Sequence, residues 1–213
     1  MTDTPIDAYT DLIETETDLE ATVGAPFPPA AAKELPCLDA ICRDYIARSP
    51  FAVLATADED GMPEISPRGD PAGFVAILDD RHLALPERPG NRRADTLRRL
   101  IRNPHAALLF LIPGWGETLR VYGTAKLVRD DALTRQFEIN GRAPKLVIVI
   151  EIARVMIHCP KCVIRSHLWE PGAWPSTEGL QDIRTVMKVH AQLDGTMEEL
   201  DAKAMKAGVI DLY

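Results

Sequence analysis

A chain of 213 residues, 46% hydrophobic and 26% charged, can build one sizeable core under an ordinary charged surface. Its formal net charge of −8 opposes general binding to nucleic acid, whose phosphate backbone it repels. No stretch reaches the roughly 18 uninterrupted apolar residues of a membrane span, and the acidic start MTDTPIDAYTDLIETETDLE has no apolar signal core. The expectation is a cytoplasmic protein that engages neither membrane nor nucleic acid.

Residues 1–50 read as helical. Leu12, Ile13, Leu19 and Val23 form a weak apolar stripe, APFPPAAAKELP is a Pro/Ala connector, and CLDAICRDYIARSP sets Leu38, Ile41, Cys42, Tyr45 and Ile46 at the spacing of an amphipathic helix that Pro50 stops. The pattern then changes to strands. FAVLATA is a short buried strand, Asp60-Gly61 supplies a hairpin turn, and MPEISPR returns, with Pro67 confining it to a sheet edge or a bulge. GFVAILD and HLALPE form a second pair, AALLFLI follows Pro104, and ETLRVYGTAKLV alternates, with Leu119, Val121, Ala125 and Leu127 on one face. DALTRQFEI reads as a short helix capped by Asp130, and KLVIVIEIARVMI as a long strand. About seven strands joined mostly by hairpin-like connections, without βαβ alternation, predict a mainly β protein with helices (α+β), an antiparallel closed or partly closed barrel. Beyond residue 158 the chain is helical again, and Thr196 and Glu199 have the spacing of a capping box.

Against the negative net charge, Arg88, Arg92, Arg93, Arg98, Arg99 and Arg102 crowd into fifteen residues around LPERPGNRRADTLRRLIRNP. Leu97, Leu100 and Ile101 give a helix its buried stripe, and Asn91 after Gly90 is the candidate N-cap. Arg92 and Arg93 then fall in the first turn, where the helix dipole disfavours cations. Two readings fit: a solvated basic turn paired with surface acids, or a phosphate cradle built from free N–H groups and two guanidinium groups. Arg98, Arg99 and Arg102 read as a solvated outer face. Ser66, Arg68, Gly69 and Asp70 in ISPRGDPAGFV form a polar, glycine-bearing strand edge that a flat heteroaromatic ring can approach, or a simple turn with an Arg68–Asp70 pair.

SPFAVLATADEDG, ISPRGDPAGFVAILDD, LPERPGNRRADTLRRLIRNPHAALLFLIPG, GETLRVYGTAKLV and HCPKCVIRSHLWEP, spread from Ser49 to Pro171, together resemble the pyridoxamine 5′-phosphate oxidase-like, FMN-binding split β-barrel superfamily, in its branch of FMN-dependent enzymes of bacterial origin. The resemblance implies a homodimer with FMN at its interface. The phosphate would lie on Gly90-Asn91-Arg92-Arg93, with Arg88 nearby. The isoalloxazine would lie along Ser66–Asp70 and along Leu85, Pro86 and Glu87. Thr118 would approach the flavin, and Lys161 and Arg165 would serve substrate or the neighbouring subunit's flavin. Thr118 stands where the vitamin B6 oxidases carry Gln, Arg-Arg replaces their Arg-Lys pair, and their C-terminal substrate signature is missing. FMN binding and the fold carry over, then, whereas oxidation of pyridoxamine phosphate does not. The implied organisation is an N-terminal helical extension (1–50), the barrel (51–170) and a C-terminal helical segment (171–213). The implied function is an FMN-dependent oxidoreductase, with a non-catalytic flavin carrier or sensor, or a barrel for deazaflavin or haem, as alternatives.

The remaining signals point less sharply. Cys159 and Cys162 in HCPKC can be packed thiols, a redox pair or half of a zinc site, and the related pattern needs only the first cysteine. Cys37 and Cys42 read as core thiols on one helix. Trp115 flanks a pocket or lies on the surface, and Trp169 and Trp174 anchor the C-terminal segment to the barrel or touch substrate. The five histidines show no metal or triad spacing, so no metal is expected.

Overall fold

The computed structural model describes residues 8–209. The chain divides into two compact units, Met1–Glu34 and Leu35–Tyr213. In the first, α1 (Glu16–Val23) is capped by Thr15, whose hydroxyl accepts from the Asp18 N–H, and none of its residues is buried. Leu12 and Ile13 lie outside this helix and are exposed. A single turn, α2 (Pro28–Ala31), follows.

The second unit opens with α3 (Ala40–Arg48), capped by the Asp39 carboxylate on the Cys42 N–H. Cys42, Tyr45 and Ile46 turn into the core, but Ile41 is 64% exposed. Cys37 precedes the helix instead of sharing it with Cys42. Seven strands follow: β1 (Phe51–Ala57), β2 (Pro63–Gly69), β3 (Ala76–Ile77), β4 (His82–Pro86), β5 (His105–Leu111), β6 (Thr118–Val128) and β7 (Val147–His158). They form one antiparallel sheet in the order β2-β1-β5-β6-β7-β4-β3. Alternation puts Leu54, Leu83, Phe110, Leu119, Val121 and Ile150 on its concave side, each almost fully buried, together with Tyr45 and Ile46 of α3. A smaller apolar cluster of Ala84, Phe137 and Val147 lies behind β4 and β7, next to the short α5 (Asp131–Arg135), which Asp130 caps as expected.

The sheet does not close. β2 is a free edge, as Pro67 required, and the chain just past β4 comes back to face it. Arg68 on β2 donates to the Glu87 carboxylate at 2.6 Å, and Arg88 donates to Asp70 at 2.6 Å. Side-chain ion pairs therefore span the gap in place of a backbone ladder, which makes this a split barrel. Between β6 and β7 the register shifts at Tyr122/Gly123: Tyr122 faces Arg154, Gly123 faces Ile152, and Ala153 is the extra residue of a β-bulge.

α4 (Asp95–Arg102) packs against β6 and β1. Its buried residues are Thr96 and Leu100, while Ile101, expected in the buried stripe, is 74% exposed. Arg99 is also not the solvated residue that the sequence predicts. Its Nη1 donates to Asp58 and its Nε to Glu64, both at 2.8 Å, so one guanidinium clamps both limbs of the β1–β2 hairpin. The Asp58 carboxyl is held below its ordinary value of 3.8, first by the Arg99 hydrogen bond and then by the Met62 N–H. A depressed carboxyl contributes stability that is present above its ordinary pKa and lost as pH falls through the lower folded value. Arg99→Met should therefore unfold at lower urea than the parent near neutral pH, and this gap should narrow at about pH 3. A gap in urea midpoint that stays the same from neutral pH to about pH 3 would count against the clamp.

After β7 come α6 (Lys161–Arg165), α7 (Ile183–His190) and α8 (Met197–Ala207), the last with both halves of the predicted Thr196/Glu199 capping box. The Trp169 indole N–H donates to the Trp115 carbonyl at 2.7 Å, and that of Trp174 to the carbonyls of His167 and Leu168, so both anchor the segment locally. Among the described residues no helix is long and apolar enough to cross a membrane.

Candidate functional site

The gap in the barrel is a cleft of about 320 Å³ between the β2 edge and the segment from Pro86 to Leu97. It unites the two constellations singled out from the sequence. Ser66, Arg68, Gly69 and Asp70 line one side, and Pro86, Glu87, Arg88, Gly90, Asn91 and Arg93 the other. Along β2 the residues Glu64, Ser66 and Arg68 are half-buried while Pro63, Ile65 and Pro67 are exposed, so the even-numbered side chains face inward. A proline at a strand edge must turn its missing N–H away from the ladder. The outward main-chain groups of this edge accordingly belong to the odd-numbered residues, among them Gly69.

Two cross-gap ion pairs shape the walls. Asp70 is 2% exposed and Arg88 16%, and Arg88 Nη1 also donates to the Phe137 carbonyl at 2.8 Å. Arg68 spends Nη1 on Glu87, but its Nε–H is buried without a hydrogen-bond acceptor. A buried, unmade hydrogen bond on a charged group is costly, so this donor calls for an acceptor from a bound molecule.

The phosphate-type end differs from the expected one. Asn91 is not the N-cap. Its Oδ1 accepts from the Arg93 N–H at 3.0 Å and tightens the turn, and the helix begins one turn later, with Ala94 as its N-cap. Ala94 stands at φ 55° and Arg92 at φ 61°, both left-handed, a conformation costly for residues with a Cβ. Ala94 supplies no side-chain cap, so the first-turn N–H groups of α4 have no capping side chain; Asp95, Thr96 and Leu97 all line the cleft. Arg93 lies beside them, paired with Asp95 at 2.7 Å and 74% exposed.

Arg92 does not line the cleft. Its Nη2 donates to the carbonyl of Ala207 at the end of α8, 2.8 Å away. Leu85 is fully buried on β4 and Thr118 is buried at the start of β6, facing His158 across the ladder. Lys161 and Arg165 sit on α6, also outside the cleft lining. Within one chain, then, nine of the fourteen predicted residues meet and five do not. The sequence reading did not single out Glu64, Asp95 or Thr96. Asp95 carried a signal, since an acid suits a helix start better than the two arginines before it. Glu64 carried none, because only the fold brings it to Arg99. Trp115 lines a separate depression of about 530 Å³ with Tyr45, Arg48 and Glu117.

Residues 38–159, more than half of the chain, match the family model described as pyridoxamine 5′-phosphate oxidase. No curated protein matches the chain. Among solved structures, tagged HupZ of Group A Streptococcus is 21% identical, with a TM-score of 0.45 over 55% of this chain and 91% of that one. General Stress Protein 26 of Bacillus anthracis is 19% identical, with a TM-score of 0.42 over 54% and 88%. A general stress protein 26-related protein of the pyridoxinephosphate oxidase family from Clostridium acetobutylicum is 16% identical, with a TM-score of 0.40 over 56% and 92%.

Proposed function

For this chain, which belongs to the pyridoxamine 5′-phosphate oxidase family, we propose that the cleft binds FMN and that the protein is an FMN-dependent oxidoreductase. The observation that carries the reading is the Arg68 Nε–H, buried and lacking an acceptor in a cleft whose far end is an uncapped helix start beside Arg93. A flavin mononucleotide supplies what both ends lack: ring acceptors for Arg68, and a dianion for the α4 N–H groups. The four carboxylates along the cleft do not repel it outright, because Glu64, Asp70, Glu87 and Asp95 are each paired with an arginine.

Bound there, the flavin would supply the two-electron chemistry. The chain's own residues would bind and orient it. Arg68 and the outward main chain of β2 would hold the ring, Ser66 would face it from the inner wall, and Asn91, Arg93 and the first turn of α4 would hold the phosphate. Arg92 would join them only by leaving the Ala207 carbonyl. At about 320 Å³ the cleft is at the low end of small-molecule sites, roughly 300–1,000 Å³. One chain thus walls only part of such a ligand. We infer that a second copy completes the site as a homodimer and that Thr118, Lys161 and Arg165 act from the partner's side.

Two charge-assisted contacts to phosphate contribute about 1.5–3 kcal/mol each. FMN should therefore bind at least about a hundredfold more tightly than riboflavin when each is titrated by fluorescence quenching. The loaded protein should sediment at twice the 23.5 kDa of one chain. Equal affinities would remove the phosphate site, and a loaded monomer would remove the shared one.

A further inference from the structure

The chain carries four free cysteines in two pairs that the cleft does not use. The pairs differ. Cys42 is buried on the core side of α3, and burial, then its hydrogen bond with Asp39, pushes its thiol up to about 12, so it stays protonated at neutral pH. Cys162 is exposed and Cys159 half-buried. Between them, Pro160 has φ −80° and ψ 0°, and Lys161 is the first residue of α6. These two occupy the centre of a type I-like turn with the cysteines at its ends, within about 7 Å of each other by Cα. A disulfide spans roughly 4.4–6.8 Å between Cα atoms, a separation that lies within the bound such a turn sets.

A metal site does not account for the pair. A structural zinc ion needs four ligands, and among the described residues no group of three or more His, Cys, Asp or Glu could hold a metal. The turn is also held against its neighbours. A Cβ on Gly116 would stand 2.7 Å from Pro160 Cβ, and Trp169 is hydrogen-bonded to Trp115 in the same loop. The 159–162 turn therefore stays in place while its outer cysteine faces solvent.

We propose that Cys159 and Cys162 form a reversible redox pair that reacts with small-molecule disulfides, independently of any flavin. The exposed Cys162 thiolate attacks one sulfur of R–S–S–R, forming a mixed disulfide and releasing R–S⁻. Cys159, deprotonated, then attacks Cys162 Sγ, closes the Cys159–Cys162 bond and expels the second R–S⁻. The two protein sulfurs are oxidised by one electron each, the two R–S groups are reduced by one electron each, and the two thiol protons end on two R–SH. A dithiol reverses the sequence. Cys162 thus makes the outer contact and Cys159 resolves it, as half-burial of the second thiol favours. Oxidation would lock the turn that carries Lys161.

The sequence around the pair supplies the readout. Trypsin cuts after Arg154, Lys161 and Arg165, separating a Val155–Lys161 peptide from a Cys162–Arg165 peptide. After incubation of the full chain with glutathione disulfide, non-reducing digestion should yield these two peptides joined, lighter than their sum by two hydrogens and parted by dithiothreitol. Closure of so short a turn has an effective concentration of about millimolar or more, so a glutathione adduct on Cys162 should be at least about tenfold more abundant in Cys159→Ser than in the parent. Cys37 and Cys42 should remain unlinked. A parent chain that accumulates the adduct on Cys162 with Cys159 still free, that links between chains, or that leaves both thiols unreacted would overturn the proposal.

Discussion

Gly123→Ala should leave little folded protein. A Cβ at this position would overlap the Glu151 carbonyl, standing 2.9 Å from its carbon and 3.2 Å from Ile152 Cα. These are main-chain atoms of the neighbouring strand, so no side chain can swing aside. The close approach follows from the bulge, where Ala153 is inserted opposite the Tyr122–Gly123 step and β7 bends toward β6. β6 and β7 form the middle of the sheet and carry Leu119, Val121, Ile148 and Ile150, so opening them there loosens the whole core. The expected cost exceeds about 4 kcal/mol, a large share of the roughly 5–15 kcal/mol by which folded domains are stable. Soluble yield and thermal unfolding give the readout. Gly172→Ala, where an added Cβ meets nothing within 4 Å, is the control and should change stability by less than about 0.5 kcal/mol. A Gly123→Ala protein that melts within about 5 °C of the parent would show that the bulge accommodates a side chain.

Asp70→Ala should cost about 3–5 kcal/mol, because it removes one partner of a buried ion pair and leaves the other charge behind. Asp70 is 2% exposed and Arg88 16%, and their 2.6 Å contact spans the gap that the backbone leaves open. For a unit of this size the melting temperature should fall by roughly 6–20 °C. Asp70→Asn, which keeps an acceptor oxygen in place, should lose less. Because Arg88 and Asp70 both line the cleft, the same substitution should weaken cofactor binding as well. A loss below about 1 kcal/mol would place the pair among exposed bridges of little consequence.

The strands were legible because alternation and turn residues are local signals. Asp60-Gly61 turns the first hairpin with Gly61 at φ 84°, and Pro67 marked β2 as an edge. The β6–β7 bulge left no such mark, because Ala153 is an ordinary strand residue and Gly123 is not at positive φ. The start of α4 was misplaced for a similar reason. Asn91 is a good cap by type, but the helix waits for Ala94 in a left-handed conformation that an alanine does not announce. The arginines show a different limit. Arg93 faces the cleft, Arg99 clamps Asp58 and Glu64, and Arg92 reaches the end of α8. Their identities are the same, and only the positions of distant carboxylates and carbonyls tell them apart.

The central claim, that the uncapped start of α4 and Arg93 hold the phosphate of FMN, is tested most directly by paired titrations of Arg93→Glu and Arg102→Glu. Both substitutions change the charge by two units on the same segment. Arg102 is exposed at the far end of α4, and its contact with Glu59 is 3.9 Å long. Salt screens its field over about 8–10 Å. With FMN fluorescence quenching as the signal, Arg93→Glu should weaken FMN at least about a hundredfold, whereas Arg102→Glu should weaken it less than about tenfold. Riboflavin, which has no phosphate to lose, should bind both variants about equally. Comparable losses of FMN in both variants, or a loss of riboflavin as large as that of FMN in Arg93→Glu, would contradict the assignment.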